Sequence, residues 1–240
     1  MDLAIIWESL PRLLDGAALT LEITVISVVI GLTLAVPLAI MRLSPNPLVW
    51  MPVYGYILYF RGTPLLVQLF LIYYGSGQFR PFLDSIGLWV LFKEAYFCAL
   101  LTLTLNTAAY TAEILRGAIQ GVPRGDIEAA RAVGMSGTLL YRRIVLPKAF
   151  RIALPAYTNE VVFLLQATSL VSIITLLDLT GVARIIVARS FEPYKLYITA
   201  GLMYLAMSYF FILLSRFIEH RLSGHMRERP ASGRAASAPR

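Results

Sequence analysis

The chain has 240 residues, of which 58% are hydrophobic and only 15% charged, with a mean hydropathy of +0.71. Soluble domains carry about a quarter charged residues, so the composition excludes an ordinary soluble domain and places the chain in a membrane. The formal net charge of +7 would suit nucleic acid, but the placement of the charges argues against that. The lone cysteine, Cys98, excludes a disulfide framework and a thiolate metal site.

Asp2, Glu8 and Asp15 precede the first apolar run, where a secretory signal would need a positive region and a small-residue cleavage site, so none is predicted. The first membrane span is predicted over residues 18–41, with a mild kink at Pro37, Glu22 reaching the interface, and Arg42 and the Ser44–Pro47 turn ending it. The second is predicted over 54–75. Its Arg61-Gly62-Thr63-Pro64 insertion reads as a kink facing a partner or pathway, with Arg61 near the cytoplasmic interface. Pro64 leaves a carbonyl free for Thr63 or a neighbouring helix to satisfy, and Gln68 is a candidate pathway residue.

Residues 78–94 read as a mixed loop. The third span, 95–115, carries Asn106, Tyr110 and Glu113 at i, i+4 and i+7, hence on one face. Polar groups aligned in this way glue helices together or line a wet path. Asn106 fits either role, and Glu113 beside Arg116 reads as half of a local ion pair. A charged segment over 116–151 follows. In it, Asp126 is expected to cap a helix over 127–133, Gly134 to make a left-handed helix end, and Ser136 to cap a second short helix over 137–145 that Pro147 closes.

The fourth span is predicted over 153–177, with Pro155 near its start and Asp178 at the interface beyond its end. Glu160, an intramembrane carboxylate, is a functional candidate by default. Asn159 and Gln166 share a face, and Gln166 and Ser169 join the candidate pathway set. The fifth span, 196–215, is uncharged between Lys195 and Arg216. The Pro-, Ala- and Arg-rich tail, 224–240, has no means of building a core and is expected to be disordered. The permease domain would thus be 1–223.

Orientation follows from the cations. Arg116, Arg124, Arg131, Arg142, Arg143, Lys148 and Arg151 face only Asp126 and Glu128, and six arginines lie from Arg216 onward against Glu219 and Glu228. The opposite loops nearly balance. Five spans then put the N-terminus outside and the 116–151 segment and tail in the cytoplasm, so topology explains the net charge without nucleic acid. There is no GxxxxGK[ST] stretch to hold ATP, His220 and His225 have no third metal ligand nearby, and no catalytic grouping emerges.

Within the charged segment stand Glu128-Ala129-Ala130, three residues, Gly134, nine residues, Ile144, one residue, and Leu146-Pro147. This spacing resembles the EAA signature of the membrane subunits of ATP-binding-cassette (ABC) importers, which forms a cytoplasmic coupling helix docked on an ATPase subunit. With Arg61-Gly62-Thr63-Pro64-Leu65, Leu105 to Tyr110 with Glu113, and Leu154 to Glu160, the chain resembles the polar-amino-acid branch of those permeases. Within it the resemblance is strongest to the M-type subunits for histidine, lysine, arginine, ornithine or opines.

The resemblance implies an all-α, five-span, MetI-like permease fold in a bacterial inner membrane. It implies two ATPase subunits, a second permease subunit that is related or identical, and a periplasmic binding protein. ATP and Mg would be used by the ATPase partner, and this chain would bind no cofactor or metal. Glu128, Ala129, Ala130, Gly134, Ile144, Leu146 and Pro147 would couple to the ATPase. Gln68, Asn106, Glu160, Gln166 and Ser169 form the candidate pathway, Glu160 suiting a cationic substrate, with outer loops near 78–94 and 182–194 receiving it by alternating access.

Two other readings carry their own requirements. A membrane-tethered DNA-binding protein would need a bundle larger than 116–151 supplies to support a reading helix. A self-sufficient secondary transporter or channel would be expected to show internal repeats, and none is found.

Overall fold

Small residues decide how the bundle packs. The computed structural model describes residues 4–222, all of whose regular elements are helical. Helix α1 (Ala4–Arg42) buries Ser9, Gly16, Ala17, Thr20, Thr24, Ser27, Gly31, Ala35 and Ala39 along one stripe. Its later part, with Gly31, Ala35 and Ala39, lies close along α6 (Ala95–Gln120), whose buried residues are equally small: Ala99, Thr104, Thr107, Ala108, Ala109 and Ala112, while Gly16 and Ala17 pack against Leu179 and Val182. At the closest approach a Cβ on Gly31 would sit 2.5 Å from Thr107 Cγ2. The helix starts well before residue 18, because apolar residues near its N-terminal end are packed, Leu13 and Ala17 joining a cluster with Leu179, Ala183 and Leu196, while Glu8, Arg12 and Asp15 stay exposed on the other side.

The second predicted span is a broken pair rather than a kinked helix. Helix α2 (Pro47–Gly62) and α3 (Leu65–Gln78) meet at 105°. Asn46 caps α2 by accepting from the Leu48 N–H at 3.0 Å. Thr63, ahead of proline, is extended at φ −117° and ψ 148°, the conformation that a following proline ring imposes. Counting the pair as one crossing, the described residues hold five candidate spans; four continuous helical stretches qualify by length and composition. The 78–94 stretch is not loop throughout but holds two short helices, α4 (Arg80–Ser85) and α5 (Trp89–Phe92), the latter ahead of α6.

The charged segment departs from expectation in three ways. Helix α7 (Arg124–Ala132) begins behind Pro123, so Asp126 lies in its first turn and ion-pairs with Lys148 instead of capping. Ser136 does precede α8 (Gly137–Leu140), but its side chain makes no cap bond. Pro147 ends nothing. A π-helical turn over Tyr141–Val145 lets the Leu146 N–H reach back five residues to Tyr141 C=O, and α9 (Leu146–Ala167) continues with Pro147 in its first turn, where a missing N–H is tolerated. Pro155 consequently sits in the middle of α9, not near its start.

α9 yields to a 3₁₀ stretch, Thr168–Ile174, in which Thr168 and Ser172 bond carbonyls three residues back, and Thr175 at φ 77° ends it. Asp178, expected at the interface, is fully buried. It caps α10 (Leu179–Ser190) by accepting from the N–H groups of Thr180 and Gly181 at 3.2 and 3.0 Å, and it accepts from Tyr204 Oη at 3.1 Å. The presumed outer loop at 182–194 is therefore mostly this helix. Helix α11 (Pro193–Leu222) overruns the predicted fifth span at both ends and leaves Leu202, Leu205, Tyr209, Phe210, Leu213 and Phe217 exposed, a face that suits lipid or another subunit. The predicted tail, 224–240, lies outside the described residues.

Candidate functional site

The α2–α3 break is held by amides. Pro64 and the extended Thr63 free the carbonyls of Phe60 and Thr63, which in a water-poor interior need donors. Gln68 supplies them: its Nε2 lies 2.9 Å from Phe60 O, 3.0 Å from Thr63 O and 2.8 Å from Thr63 Oγ1. Asn106 on α6 completes the junction, its Nδ2 donating to Gln68 Oε1 at 2.9 Å and to Phe60 O at 3.3 Å. Gln68 is 1% exposed and spends its side chain on the break, so it shapes the site without lining it. Asn106 has both amide protons engaged and keeps only its carbonyl oxygen for anything else.

Around that junction lies a cavity of about 320 Å³ lined by Thr63, Leu65, Asn106, Tyr110, Glu160, Phe163, Leu164 and Ala167. Glu160 is buried, 9% exposed, and accepts one hydrogen bond, from Thr107 Oγ1 at 3.1 Å. Among the described residues no cationic side chain comes within ion-pair distance of it. An ionised carboxylate has about four acceptor positions, so most of its capacity faces the cavity unfilled. Burying such a group without a partner is costly. The arrangement is therefore chemically suited to a cationic or hydrogen-bond-donating ligand.

The five predicted pathway residues do not converge. Asn106 and Glu160 share this cavity, and Gln68 stands behind its wall. Gln166 and Ser169 line a separate cavity of about 360 Å³ with Gly201, Tyr204, Leu205 and Ser208, between α9 and α11. Sequence reasoning gave no separate role to Thr107, which orients Glu160, and read Asp178 only as an interfacial residue, not as a cap. The Asp178 cap had a readable signal, a short acidic side chain immediately before a helix; Thr107 had none without knowledge of how α6 packs on α9.

Gly134 and its neighbours form a Schellman-type helix end: Gly134 has φ +86°, its N–H donates to Arg131 O at 2.9 Å, and the Met135 N–H donates to Ala130 O at 3.0 Å. Glu128, Ala129 and Gly134 are exposed, and Val133 and Leu139 add apolar surface at 73% and 49% exposure. Ala130 turns inward at 5% exposure, and Ile144 and Leu146 pack with it on the core formed by Ala35, Ala39, Ala112, Leu115 and Val145. The signature residues thus divide into an outward set, Glu128, Ala129 and Gly134, and an inward set, Ala130, Ile144 and Leu146. Pro147 is exposed at the start of α9.

Above this platform Glu113 accepts from Arg116 Nη2 at 2.8 Å and Nε at 2.9 Å, the expected local pair, while Arg42 Nε stands 3.6 Å from its other oxygen. Arg42 in turn stacks 4.5 Å from the Tyr54 ring centre. These contacts tie the ends of α1, α2 and α6 together.

Comparison with known proteins agrees with this architecture. Residues 27–224 match the family described as binding-protein-dependent transport system inner membrane component. The nopaline transport system permease protein NocM of Agrobacterium fabrum is 52% identical over 229 residues, covering 95% of each chain. The histidine/lysine/arginine/ornithine transport system permease protein HisM of Escherichia coli is 45% identical over 212 residues, covering 88% of this chain and 89% of that one. Among solved structures, an amino acid ABC transporter crystallised with histidines superposes with a TM-score of 0.79 at 33% identity, over 92% of this chain and 99% of that chain. The MetNI methionine ABC transporter, at 21% identity and a TM-score of 0.73 over the same shares, supports the fold alone.

Proposed function

We infer the working of this chain from the family to which it belongs, the binding-protein-dependent transport system inner membrane components, among which it is a multi-pass permease subunit of the ABC-importer type. Its substrate is a polar amino acid or opine with a cationic side group, delivered by a periplasmic binding protein. The observation that carries this reading is Glu160, a buried carboxylate with one hydrogen bond and an open cavity in front of it. The relatives named for nopaline, histidine, lysine, arginine and ornithine agree in substrate class, each such molecule carrying a group able to donate to a carboxylate.

The chain sits in the bacterial inner membrane with its N-terminus periplasmic and the α7–α8 platform cytoplasmic. Two ATPase subunits, which use ATP and Mg, dock on the outward set of signature residues. This chain itself holds no cofactor, and a second permease subunit, related or identical, completes the translocation path. ATP-driven closure of the ATPase pair displaces α7 and α8, and the spans above them swing between outward and inward access.

The test is uptake by the complete importer, assembled with its own ATPase, sibling permease and binding protein in proteoliposomes. Labelled arginine is expected to enter in an ATP-dependent manner, and Glu160→Gln to cut arginine uptake by about tenfold, the order of one lost charge-assisted contact. Unchanged arginine uptake by that variant would remove Glu160 from the path. Co-purification from native membranes identifies the sibling permease; a chain that emerges alone, even after cross-linking, would favour a self-sufficient transporter.

A further inference from the structure

A second cleft of about 290 Å³ opens between α2 and α6, lined by Tyr54, Ile57, Leu58, Arg61, Gly62 and Glu113. It is separated from the Glu160 cavity by the Arg61-Gly62-Thr63 turn, Thr63 lining one side and Arg61 and Gly62 the other. The partition is closed by Tyr110. The Arg61 guanidinium carbon lies 5.2 Å from the Tyr110 ring centre, and Tyr110 Oη lies 3.5 Å from Arg61 O. On α6 the face that carries Asn106 and Tyr110 in the first cavity continues, three residues on, to Glu113 in the second.

Three features set the second cleft apart from a lipid-facing groove. An arginine and a glutamate in its walls would be expensive against hydrocarbon. One Glu113 oxygen is held by Arg116, but Oε1 is buried and accepts no hydrogen bond, and Arg42 Nε opposite it donates none. Arg61 is exposed, and none of its donors appears in an ion pair within the described residues. An exposed guanidinium outside any ion pair among the described residues and a carboxylate whose second oxygen faces Arg42 at 3.6 Å without a hydrogen bond match, in one cleft, the two charges that every amino acid carries on its backbone.

We propose that this cleft is a second amino-acid subsite, on the α7-proximal side of the Arg61–Tyr110 partition, in which Arg61 takes the α-carboxylate and Glu113 the α-ammonium. It reads the backbone, whereas the Glu160 cavity reads the side group, so the substrate passes from one to the other when Arg61 leaves the Tyr110 ring. The proposal rests on the importer reading above but not on the cationic substrate class.

The test uses a thiol in the cleft. Cys98, the only native cysteine, is fully buried, so Leu58→Cys provides one accessible thiol on this chain. Gly62→Cys is the alternative, where an added Cβ meets nothing within 4 Å. In the nucleotide-free complete complex, labelling of this chain by a water-soluble charged maleimide is followed by mass. Saturating L-arginine and L-glutamine are each expected to slow labelling at least fivefold, argininamide and Nα-acetylarginine less than twofold, and Arg61→Gln to abolish protection. An unreactive thiol at both positions, absence of protection, or equal protection by the blocked derivatives would overturn the subsite. Protection by glutamine in a complex that imports no cationic amino acid would leave the subsite standing and overturn the substrate class instead.

Discussion

The contact between Gly31 and Thr107 links packing to the Glu160 cavity, and Gly31→Ala tests it. The added Cβ would lie 2.5 Å from Thr107 Cγ2, 3.4 Å from Thr104 O and 3.5 Å from Ala108 N. Carbon atoms in contact prefer about 3.5–4.0 Å, so the methyl groups overlap by about 1 Å. Either α1 and α6 part, or Thr107 turns and takes Oγ1 away from Glu160, which it meets at 3.1 Å. Overpacking costs about 1–3 kcal/mol, and a hydrogen bond to a charged group contributes about 1.5–3 kcal/mol. Gly31→Ala is therefore expected to destabilise by about 2 kcal/mol and to lower arginine uptake. Thr107→Ser deletes Cγ2 and keeps the hydroxyl, at a cost of about 1 kcal/mol for the lost methyl. The double variant should recover at least about 1 kcal/mol relative to the sum of the singles, read as a coupling energy in a double-mutant cycle. Thermal unfolding of the purified complex and uptake by the same variants supply the four corners. Additive effects would show that the collision is not relieved at Thr107 and would refute this account of the crossing.

Three further outcomes follow from other parts of the molecule. Gln68→Leu leaves the carbonyls of Phe60 and Thr63 short of donors inside the bundle and should destabilise by about 1–3 kcal/mol, with amide exchange rising at the α2–α3 junction; exchange unchanged there would mean that Gln68 does not hold the break. Asp178→Ala removes the α10 cap and the acceptor of Tyr204 Oη, and should cost about 2 kcal/mol, whereas Asp178→Asn, which keeps a capping oxygen, should lie between it and wild type in thermal unfolding. Gly134→Asp should abolish uptake while membrane insertion stays intact, because the exposed φ +86° turn adds only about 1–2 kcal/mol of strain yet changes the outward surface; normal uptake would remove that turn from coupling.

Spans were legible where the apolar run is long and local. The spans predicted over 18–41 and 196–215 needed only length and hydropathy, and both lie inside the observed α1 and α11. The end signals were less secure. Gly134 was readable because a left-handed helix end needs glycine whatever surrounds it, but Pro147 reads as a terminator only if the preceding turn is α, and the π turn at 141–145 is settled by packing on the bundle. The proline in Arg61-Gly62-Thr63-Pro64 announced a distortion. That it bends by 105° depends on Gln68 in the first turn of α3 and on Asn106 from α6, which take over the freed carbonyls. For the same reason Gln68 looked like a pathway residue, since a polar side chain in a span reads alike whether it faces water or a carbonyl. The burial of Asp178 under Tyr204 was not legible, because it depends on a side chain 26 residues away on α11.

The uninterrupted helical path from Gly137 through the π turn to Ile174 has a mechanical consequence. Glu160 lies 23 residues beyond Gly137 on that path, about 35 Å at about 1.5 Å per residue. A rod of that length is a lever arm, and a tilt of about 5° at its foot displaces the carboxylate by about 3 Å, enough to make or lose a hydrogen bond. A displacement of α8 would therefore need no relay of side chains to reach the cavity; it would arrive as leverage along the shaft.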